Sequence, residues 1–334
     1  MGFSLQLGAS LSAYLAKQKI QGKKKYPLVL MLEPSFRCNL KCAGCGRIRE
    51  YKDIMDRSLS LEECLASADE AGAPVVSLTG GEPLMLPQVD KIVDGLIRQK
   101  RFVNLCTNGL LLESSLAKFK PDPHLYFVVH LDGLAETHDK FACREGVFET
   151  ALSAVRKAKK SGFQVLINHT IYKQSDPGET EKLFYLLASV PVDGIMVAPA
   201  FSYEAVSSDV FMSRNEVAKT FAPIYALRKK VPFYNTPLYL DFLAGKLDLK
   251  CTPWSTPTRN PSGWKMPCYL ITDGHCKSFR ELMDETEWEK YGNGNNPRCA
   301  NCMVHCGFEA SALGAAKRNI PNLWKTMRAM SFYV

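Results

Sequence analysis

Cys38, Cys42 and Cys45 stand at the spacing Cys-x3-Cys-x2-Cys within the stretch Glu33 to Arg47. Three thiolates so placed can hold three corners of a cubane iron-sulfur cluster and leave the fourth iron without a protein ligand. An iron with an open position can bind a small chelating molecule and pass it an electron, which is catalytic rather than structural chemistry. The alternative is a zinc knuckle. Structural zinc wants four ligands, and no fourth Cys or His occurs within the next dozen residues.

A second group of cysteines lies far along the chain: Cys251, Cys268, Cys276, Cys299, Cys302 and Cys306. Cys251, Cys268, Cys299 and Cys302, taken as two pairs, suffice for a second [4Fe-4S] cluster or a zinc ion, and partly free thiols are the third option. Cys106 stands apart from both groups, at the end of a short apolar run and just before Thr107 and Asn108. It is either a small buried hydrophobe or a thiol presented to a ligand. A thiol there could give a hydrogen atom to a carbon radical, which no acid or base can do.

These residues need a scaffold, and the apolar pattern supplies one. Six short apolar runs occur, Leu28 to Leu32, Val75 to Leu78, Phe102 to Leu105, Leu125 to His130, Val165 to Ile167 and Ile195 to Val197. Segments of helical period separate them, among them Leu61 to Ala71, Val89 to Lys100 and Val147 to Lys160. Continuous apolar strands alternating with amphipathic helices indicate an α/β fold with a parallel sheet buried on both faces. Each run leads into a distinct segment, polar in all but the last: the cysteine loop, Thr79-Gly80-Gly81-Glu82-Pro83, Cys106-Thr107-Asn108-Gly109, His130-Leu131-Asp132-Gly133, Asn168-His169-Thr170 and Ala198-Pro199-Ala200. In a parallel barrel these carboxyl ends open on one face, where active sites are built. Six repeats rather than eight predict a partial (β/α)6 TIM-type barrel, open enough on one side for a large substrate. Asn108, Asn168, His130 and Asp132 face the mouth by position, with turn or cap residues as the alternative for each.

The expected organisation is a basic amphipathic segment over 1–25, the partial barrel over 26–200, a helical bridge over 201–250 and a cysteine-rich extension over 251–334. The bridge carries candidate helices at Arg214 to Lys230 and Leu238 to Lys246. The net charge of +8 is placed at the two ends, since residues 1–25 hold five lysines and no acid and residues 311–334 hold Lys317, Arg318, Lys325 and Arg328 and no acid. The body between is therefore close to neutral, which argues against a nucleic-acid groove and for either solvated ends or peripheral contact with anionic lipid. Leu7, Leu11, Tyr14, Leu15 and Ile20 form the apolar stripe of the first segment. Leu313, Ile320, Leu323, Trp324, Met327, Met330 and Phe332 give the tail an apolar face, for a membrane interface or for packing on the barrel. Twelve cysteines without a secretory signal or a membrane-spanning stretch place the chain in a reducing cytoplasm, where clustered cysteines hold metal.

With its cysteine loop and Gly80-Gly81-Glu82, the chain resembles the radical S-adenosylmethionine (SAM) enzymes. That resemblance implies a [4Fe-4S] cluster on Cys38, Cys42 and Cys45, SAM chelating the open iron, and Gly80, Gly81 and Glu82 meeting the methionyl amino group. Asn108 and Asn168 become candidate contacts to the ribose or carboxylate of SAM. Many members carry an aromatic residue just before the third cysteine to pack on adenine; here that residue is Gly44. The adenine would then lean on Phe36 or on the backbone of Val197 to Pro199. The later cysteines are similar to auxiliary-cluster extensions of the SPASM or twitch type, although the spacing after Cys302 departs from the usual SPASM continuation.

Over its full length the chain resembles the adenosylhopane synthases of bacterial hopanoid biosynthesis. The similarity is carried by 26–51, 77–89, 129–151, 192–206, the run Trp254 to Trp264, and 299–305. It implies a carbon-carbon bond between C5′ of the adenosyl radical and the terminal alkene of hopene, with Cys106 as hydrogen-atom donor. It also implies a flavodoxin or ferredoxin as electron donor and an enzyme that visits the inner face of the cell membrane. The rival readings are a SPASM-like radical enzyme that abstracts hydrogen from a peptide or small metabolite, and a non-catalytic iron-sulfur or zinc protein.

Overall fold

The computed structural model describes residues 5–203, 205–206 and 209–318. Helix α1 (Leu5–Ile20) precedes strand β1 (Val29–Leu32). Then α2 (Leu61–Ala71) leads to β2 (Val75–Leu78), α3 (Val89–Arg98) to β3 (Phe102–Thr107), and the single turn Leu112–Ser115 to β4 (Leu125–His130). Helices α4 (Ala135–Ala142) and α5 (Val147–Lys160) lead to β5 (Gln164–Ile171), and α6 (Pro177–Ser189) to β6 (Gly194–Pro199). Local chemistry sets several boundaries. Ser60 and Glu63 form a capping box that starts α2, and Gly72 ends it at φ 63°. Asp176 caps α6, whose first residue is Pro177.

The six strands pair in parallel in chain order, so the expected half-barrel of six repeats is present. Alternation along each strand sorts the side chains between two cores. Leu30, Leu32, Val76, Leu78, Val103, Leu105, Phe127, Val129, Val165 and Ile167 point outward and pack under the helices. Val75, Phe102, Tyr126, Val128 and Leu166 point inward, with Val29, Cys106 and Met196 beside them. Leu7 and Leu11 of α1 join this inner cluster and close it. The stripe of α1 is thus used for packing at Leu7 and Leu11, and Tyr14 Oη donates to Pro27 O at 2.7 Å. Ile20 does not share that burial and is 87% exposed.

Strand ends differ from the sequence expectation in three places, one of them β6, which runs past Val197 to Pro199. Strand β3 runs through Cys106 to Thr107, and β5 runs through Asn168, His169 and Thr170 to Ile171, because the pairing with β6 continues to Ile171 opposite Pro199. Asn168 is therefore a strand residue facing inward rather than a loop residue.

Beyond β6, α7 (Arg214–Ala226) and α8 (Pro237–Leu243) occupy the bridge. Three strands unforeseen in the sequence follow, β7 (Thr258–Asn260), β8 (Gly263–Pro267) and β9 (Thr272–Cys276). β7 pairs in parallel with β1, and β8 and β9 fold back antiparallel, giving the sheet order β6-β5-β4-β3-β2-β1-β7-β8-β9. The run Trp254 to Trp264 thus covers the free edge of β1. Helices α9 (Phe279–Glu285) and α10 (His305–Arg318) complete the described chain. Ile320, Leu323, Trp324, Met327, Met330 and Phe332 lie outside the described residues. No helix among the described residues is long and apolar enough to cross a membrane.

Candidate active site

The cysteine loop leaves β1 and lies across the mouth. Cys38, Cys42 and Cys45 are all half-buried and stand in one another's electrostatic field. Burial, and after it the neighbouring thiols Cys45 and Cys38, push the Cys42 thiol up to about 12; burial pushes Cys38 up to about 11. Thiols so placed become thiolates when a metal centre supplies the compensating charge. Among the described residues no three His, Cys, Asp or Glu side chains converge closely enough to hold a single ion. Three half-buried thiols on one loop are the donor set a [4Fe-4S] cluster takes when one iron is left open. Arg49 Nη1 donates to Cys42 O at 3.0 Å and also to Cys45 O, holding the loop's backbone.

Gly80 and Gly81 lie directly against this loop. Gly81 N donates to Ser35 O at 2.9 Å and Glu82 N to Arg37 O at 2.7 Å. A Cβ on Gly80 would collide with Ser35 O and one on Gly81 with Arg37 O, and Gly80 sits at φ 112°. The glycines therefore admit the backbone of the cysteine loop itself, a closer constraint than approach to a ligand. Glu82 follows, 3% exposed, and its carboxylate accepts from Leu84 N at 3.0 Å, Asn108 N at 2.8 Å and Thr107 Oγ1 at 2.9 Å. Burial pushes its pKa up against these three donors. A cation beside it would relieve that cost.

The Asn108 side chain is committed locally, with Nδ2 donating to Asn39 Oδ1 at 2.6 Å and Oδ1 accepting from Leu110 N at 3.0 Å. It ties the end of β3 to the cysteine loop. Asn168 Nδ2 lies 3.2 Å from His130 Nδ1 on the inner face. His130 Nε2 lies 2.6 Å from Asp132 Oδ2, and Asp132 Oδ1 accepts from Thr170 N at 2.7 Å. Asp132 N donates to His138 Nδ1 at 3.0 Å. Asp132 thus acts as a buried hub between β4, β5 and α4, while the His130 ring is partly open to the mouth.

Cys106 points inward from β3, with its Sγ 3.4 Å from Ser77 Oγ. Burial pushes its thiol up to about 11, and Glu82 adds to the shift from nearby. The residue therefore keeps its S–H at neutral pH.

A buried ionic group that sequence reasoning missed links the loop to the β7–β9 extension. Arg47 Nε lies 3.6 Å from Glu33 Oε1 and Nη1 lies 3.4 Å from Glu50 Oε2, with both Arg47 and Glu33 buried. Lys265 of β8 is fully buried, 3.2 Å from Glu50 Oε1, and donates to Tyr269 O at 2.9 Å. Burial and then Arg47 hold its amine down at about 8. The one available signal was a charged residue set between Trp264 and Met266 in an otherwise apolar strand.

At the second cysteine group, Cys251, Cys268, Cys299, Cys302 and Cys306 line a single pocket with Phe201, Tyr269 and Tyr291. Cys306 joins the four taken from spacing alone, whereas Cys276 does not line that pocket and ends β9 opposite Trp264. Burial raises the Cys251 thiol well above its ordinary value, and the other four cysteines add to the effect. Gly307 makes room for Cys251, since a Cβ there would collide with its Sγ.

A parallel half-barrel with a three-cysteine loop at its mouth defines a class of iron-sulfur protein, and comparison with known proteins agrees. Residues 32–187 match the model of the Radical SAM superfamily, and this domain of the chain belongs to it. The cofactors of that superfamily are a [4Fe-4S] cluster and SAM. Residues 195–326 match a domain of unknown function, DUF3463. Among curated proteins the chain is similar to the Fe-coproporphyrin III synthase of Methanosarcina barkeri, 33% identical over 169 residues covering 49% of this chain and 42% of that protein. It is also similar to a GTP 3′,8-cyclase of Clostridium botulinum, 26% identical over 190 residues covering 54% and 60%. The chain spans about half the length of these curated relatives. Among solved structures, Streptococcus suis SuiB bound to the precursor peptide SuiA superposes with a TM-score of 0.64 at 16% identity, covering 92% of this chain and 76% of that one. anSMEcpe with bound AdoMet gives 0.59 at 17% identity, covering 89% and 98%. These last two likenesses are of fold.

Proposed function

We propose that the protein adds the 5′-deoxyadenosyl group of SAM to the terminal alkene of hopene, giving adenosylhopane. The observation that carries this reading is the protonated thiol of Cys106 on the inner face of β3, within the field of Glu82. When bound, the reduced cluster supplies the electron that splits SAM into methionine and a 5′-deoxyadenosyl radical. In this reading Cys38, Cys42 and Cys45 hold the cluster, and Gly80 and Gly81 set the distance between the loop and Glu82. Glu82 receives the methionyl ammonium, whose charge offsets the burial of the carboxylate. Asn168 and the neighbouring His130 face the ribose, and Asn108 acts through Asn39 on the loop.

Addition to an alkene leaves a tertiary carbon radical that must acquire a hydrogen atom. Cys106 supplies it from its S–H, and the sulfur radical that remains takes an electron from the external reductant, a flavodoxin or ferredoxin, and a proton from solvent. The half-buried Cys106 and Met196 on the inner face offer apolar contact to a hydrocarbon, which has nothing to hydrogen-bond. The similarity of residues 254–264 and 299–305 to adenosylhopane synthases supports the same substrate. Exposed Leu5 and Ile20 on α1, with lysines nearby, support peripheral contact with the membrane that holds such a substrate. The five cysteines that line the pocket of the extension are the candidate ligands of a second [4Fe-4S] cluster.

Product analysis of the reduced protein with SAM and hopene, in the unsubstituted form and in Cys106→Ala, tests the reading. An adenosyl-hydrocarbon adduct is expected from the first. The variant is expected to cleave SAM at a similar rate and to lose or misdirect the last hydrogen delivery. Free 5′-deoxyadenosine formed in step with an altered peptide or metabolite would favour hydrogen abstraction instead, and unchanged product from Cys106→Ala would remove that thiol from the mechanism.

A further inference from the structure

The cysteine pocket of the extension stands back to back with a groove that opens on solvent. Phe308 lines the cysteine pocket beside Cys302 and Cys306. The groove, of about 320 Å³, lies between α7 and the turn after α8 and is lined by Arg214, Ala218, Phe242, Lys246, Asp248 and Met303, of which Lys246 and Asp248 are exposed. Phe242 and Phe308 stack with ring centroids 4.5 Å apart, so the wall between groove and cysteine pocket is two rings thick. Arg214 lies over that wall, its Cζ 5.2 Å from the Phe242 centroid and 5.9 Å from that of Phe308. Its Nη1 donates to Cys302 O at 3.4 Å.

The groove is cationic. Between residues 211 and 250 the chain holds seven Lys or Arg against three Asp or Glu, and one of the three, Asp241, is buried. Lys246 Nζ and Arg228 Cζ lie 3.8 Å and 3.9 Å from the centroid of the same Tyr225 ring, which gathers two cations from different segments onto one patch. Arg214 has Asp248 at 3.7 Å on a side chain that is 91% exposed, a pairing that a carboxylate from another molecule can replace at little cost. Among the described residues no large apolar side chain of the bridge is exposed, which disfavours insertion into a lipid interface. Weak electron-transfer encounters use small interfaces and rely on complementary charge.

We propose that this groove is the docking site of a small acidic electron-carrier protein, with the Phe242 and Phe308 pair between the carrier and the iron-sulfur centre of the extension. The carrier is oxidised by one electron, the centre is reduced by one, and no bond is made or broken. The inference deepens the part of the preceding reading that names an external protein reductant and an iron-sulfur site on the extension, and it is independent of the hydrocarbon substrate.

Calorimetric titration of the reconstituted holoenzyme with an oxidised flavodoxin, and separately with an oxidised ferredoxin, both acidic, tests it at low and high salt, with iron content measured on each sample. The double variant Lys219→Glu with Lys246→Glu is expected to keep its iron and to bind on the order of tenfold more weakly at low salt, with the difference shrinking at high salt. Lys160→Glu, an exposed reversal on α5 of the half-barrel, is expected to bind as the unsubstituted protein does. SAM cleavage driven by the reduced carrier is expected to show a raised KM for the carrier in the double variant. Cleavage driven by dithionite, which needs no docked protein, is expected to be equal in all three proteins. Equal carrier affinity in the double variant, or an equal loss in Lys160→Glu, would overturn this inference alone. A double variant that binds both carriers normally but has lost binding to phosphatidylglycerol vesicles would make the groove a lipid face and overturn it as well. Neither carrier binding the unsubstituted protein would overturn it and leave the hydrocarbon reading standing. SAM left uncleaved even with dithionite would overturn the reading on which it rests, and this inference with it.

Discussion

His138 shows how closely the site residues are tied to the stability of the fold. Its Nδ1 accepts a hydrogen bond from Asp132 N, which requires an unprotonated nitrogen, and burial lowers its pKa to about 4. An unfolded chain would protonate the same imidazole near its ordinary value of about 6.5. Between those values the unfolded state binds more protons, so this group's contribution to stability is complete above about 6.5 and is lost as pH falls towards 4. Urea titrations at a series of pH values should show that slope, and His138→Gln, whose amide oxygen can accept the same bond, should flatten it at a cost of about 1–2 kcal/mol at neutral pH. An unaltered slope in the variant would assign the acid sensitivity to other groups. At this scale the sequence was legible where a motif is local. The spacing of Cys38, Cys42 and Cys45 and the Gly80-Gly81-Glu82 run are read directly, and the structure brings loop and run into backbone contact. Arg47, Glu33 and Lys265 were not legible, because nothing near Arg47 or Glu50 in the chain announces that they meet Tyr269 and Lys265, 222 and 215 residues later.

Among the elements, the parallel strands were predictable because each is a continuous apolar run buried on both faces. The strands β7 to β9 were not: Thr258–Asn260 is three residues long and polar, and it exists as a strand only because the edge of β1 needs a partner. The same extension carries the five cysteines, and there spacing alone pointed to four of them. Cys306 looked surplus to the two pairs, yet the first turn of α10 places it in the pocket with Cys251, Cys268, Cys299 and Cys302. If that pocket is a metal site, the double variant Cys251→Ala and Cys268→Ala should lose its metal while keeping the iron of the loop. Element analysis of anaerobically purified protein measures this directly. Iron and zinc contents identical to those of the unsubstituted protein would show that these thiols hold nothing.

The molecule as a whole is a half-barrel whose inner face is apolar below and polar at the mouth, with α1 closing the inner core and the extension completing the sheet beyond β1. Cys106 stands between the two regions, half-buried at the upper edge of the inner core. The proposed substrate comes from the longer resemblance alone, since an apolar inner face names no particular hydrocarbon. The account therefore rests on two events: radical addition, and hydrogen delivery by a thiol that exchanges its proton with water. Mass spectrometry of the product made from SAM and hopene by the reduced protein in deuterium oxide tests both in one measurement. The account predicts an adenosyl-hydrocarbon adduct carrying one non-exchangeable deuterium, in keeping with a single thiol donor. Unmodified hydrocarbon accompanied by free 5′-deoxyadenosine, or an adduct without deuterium, would contradict it.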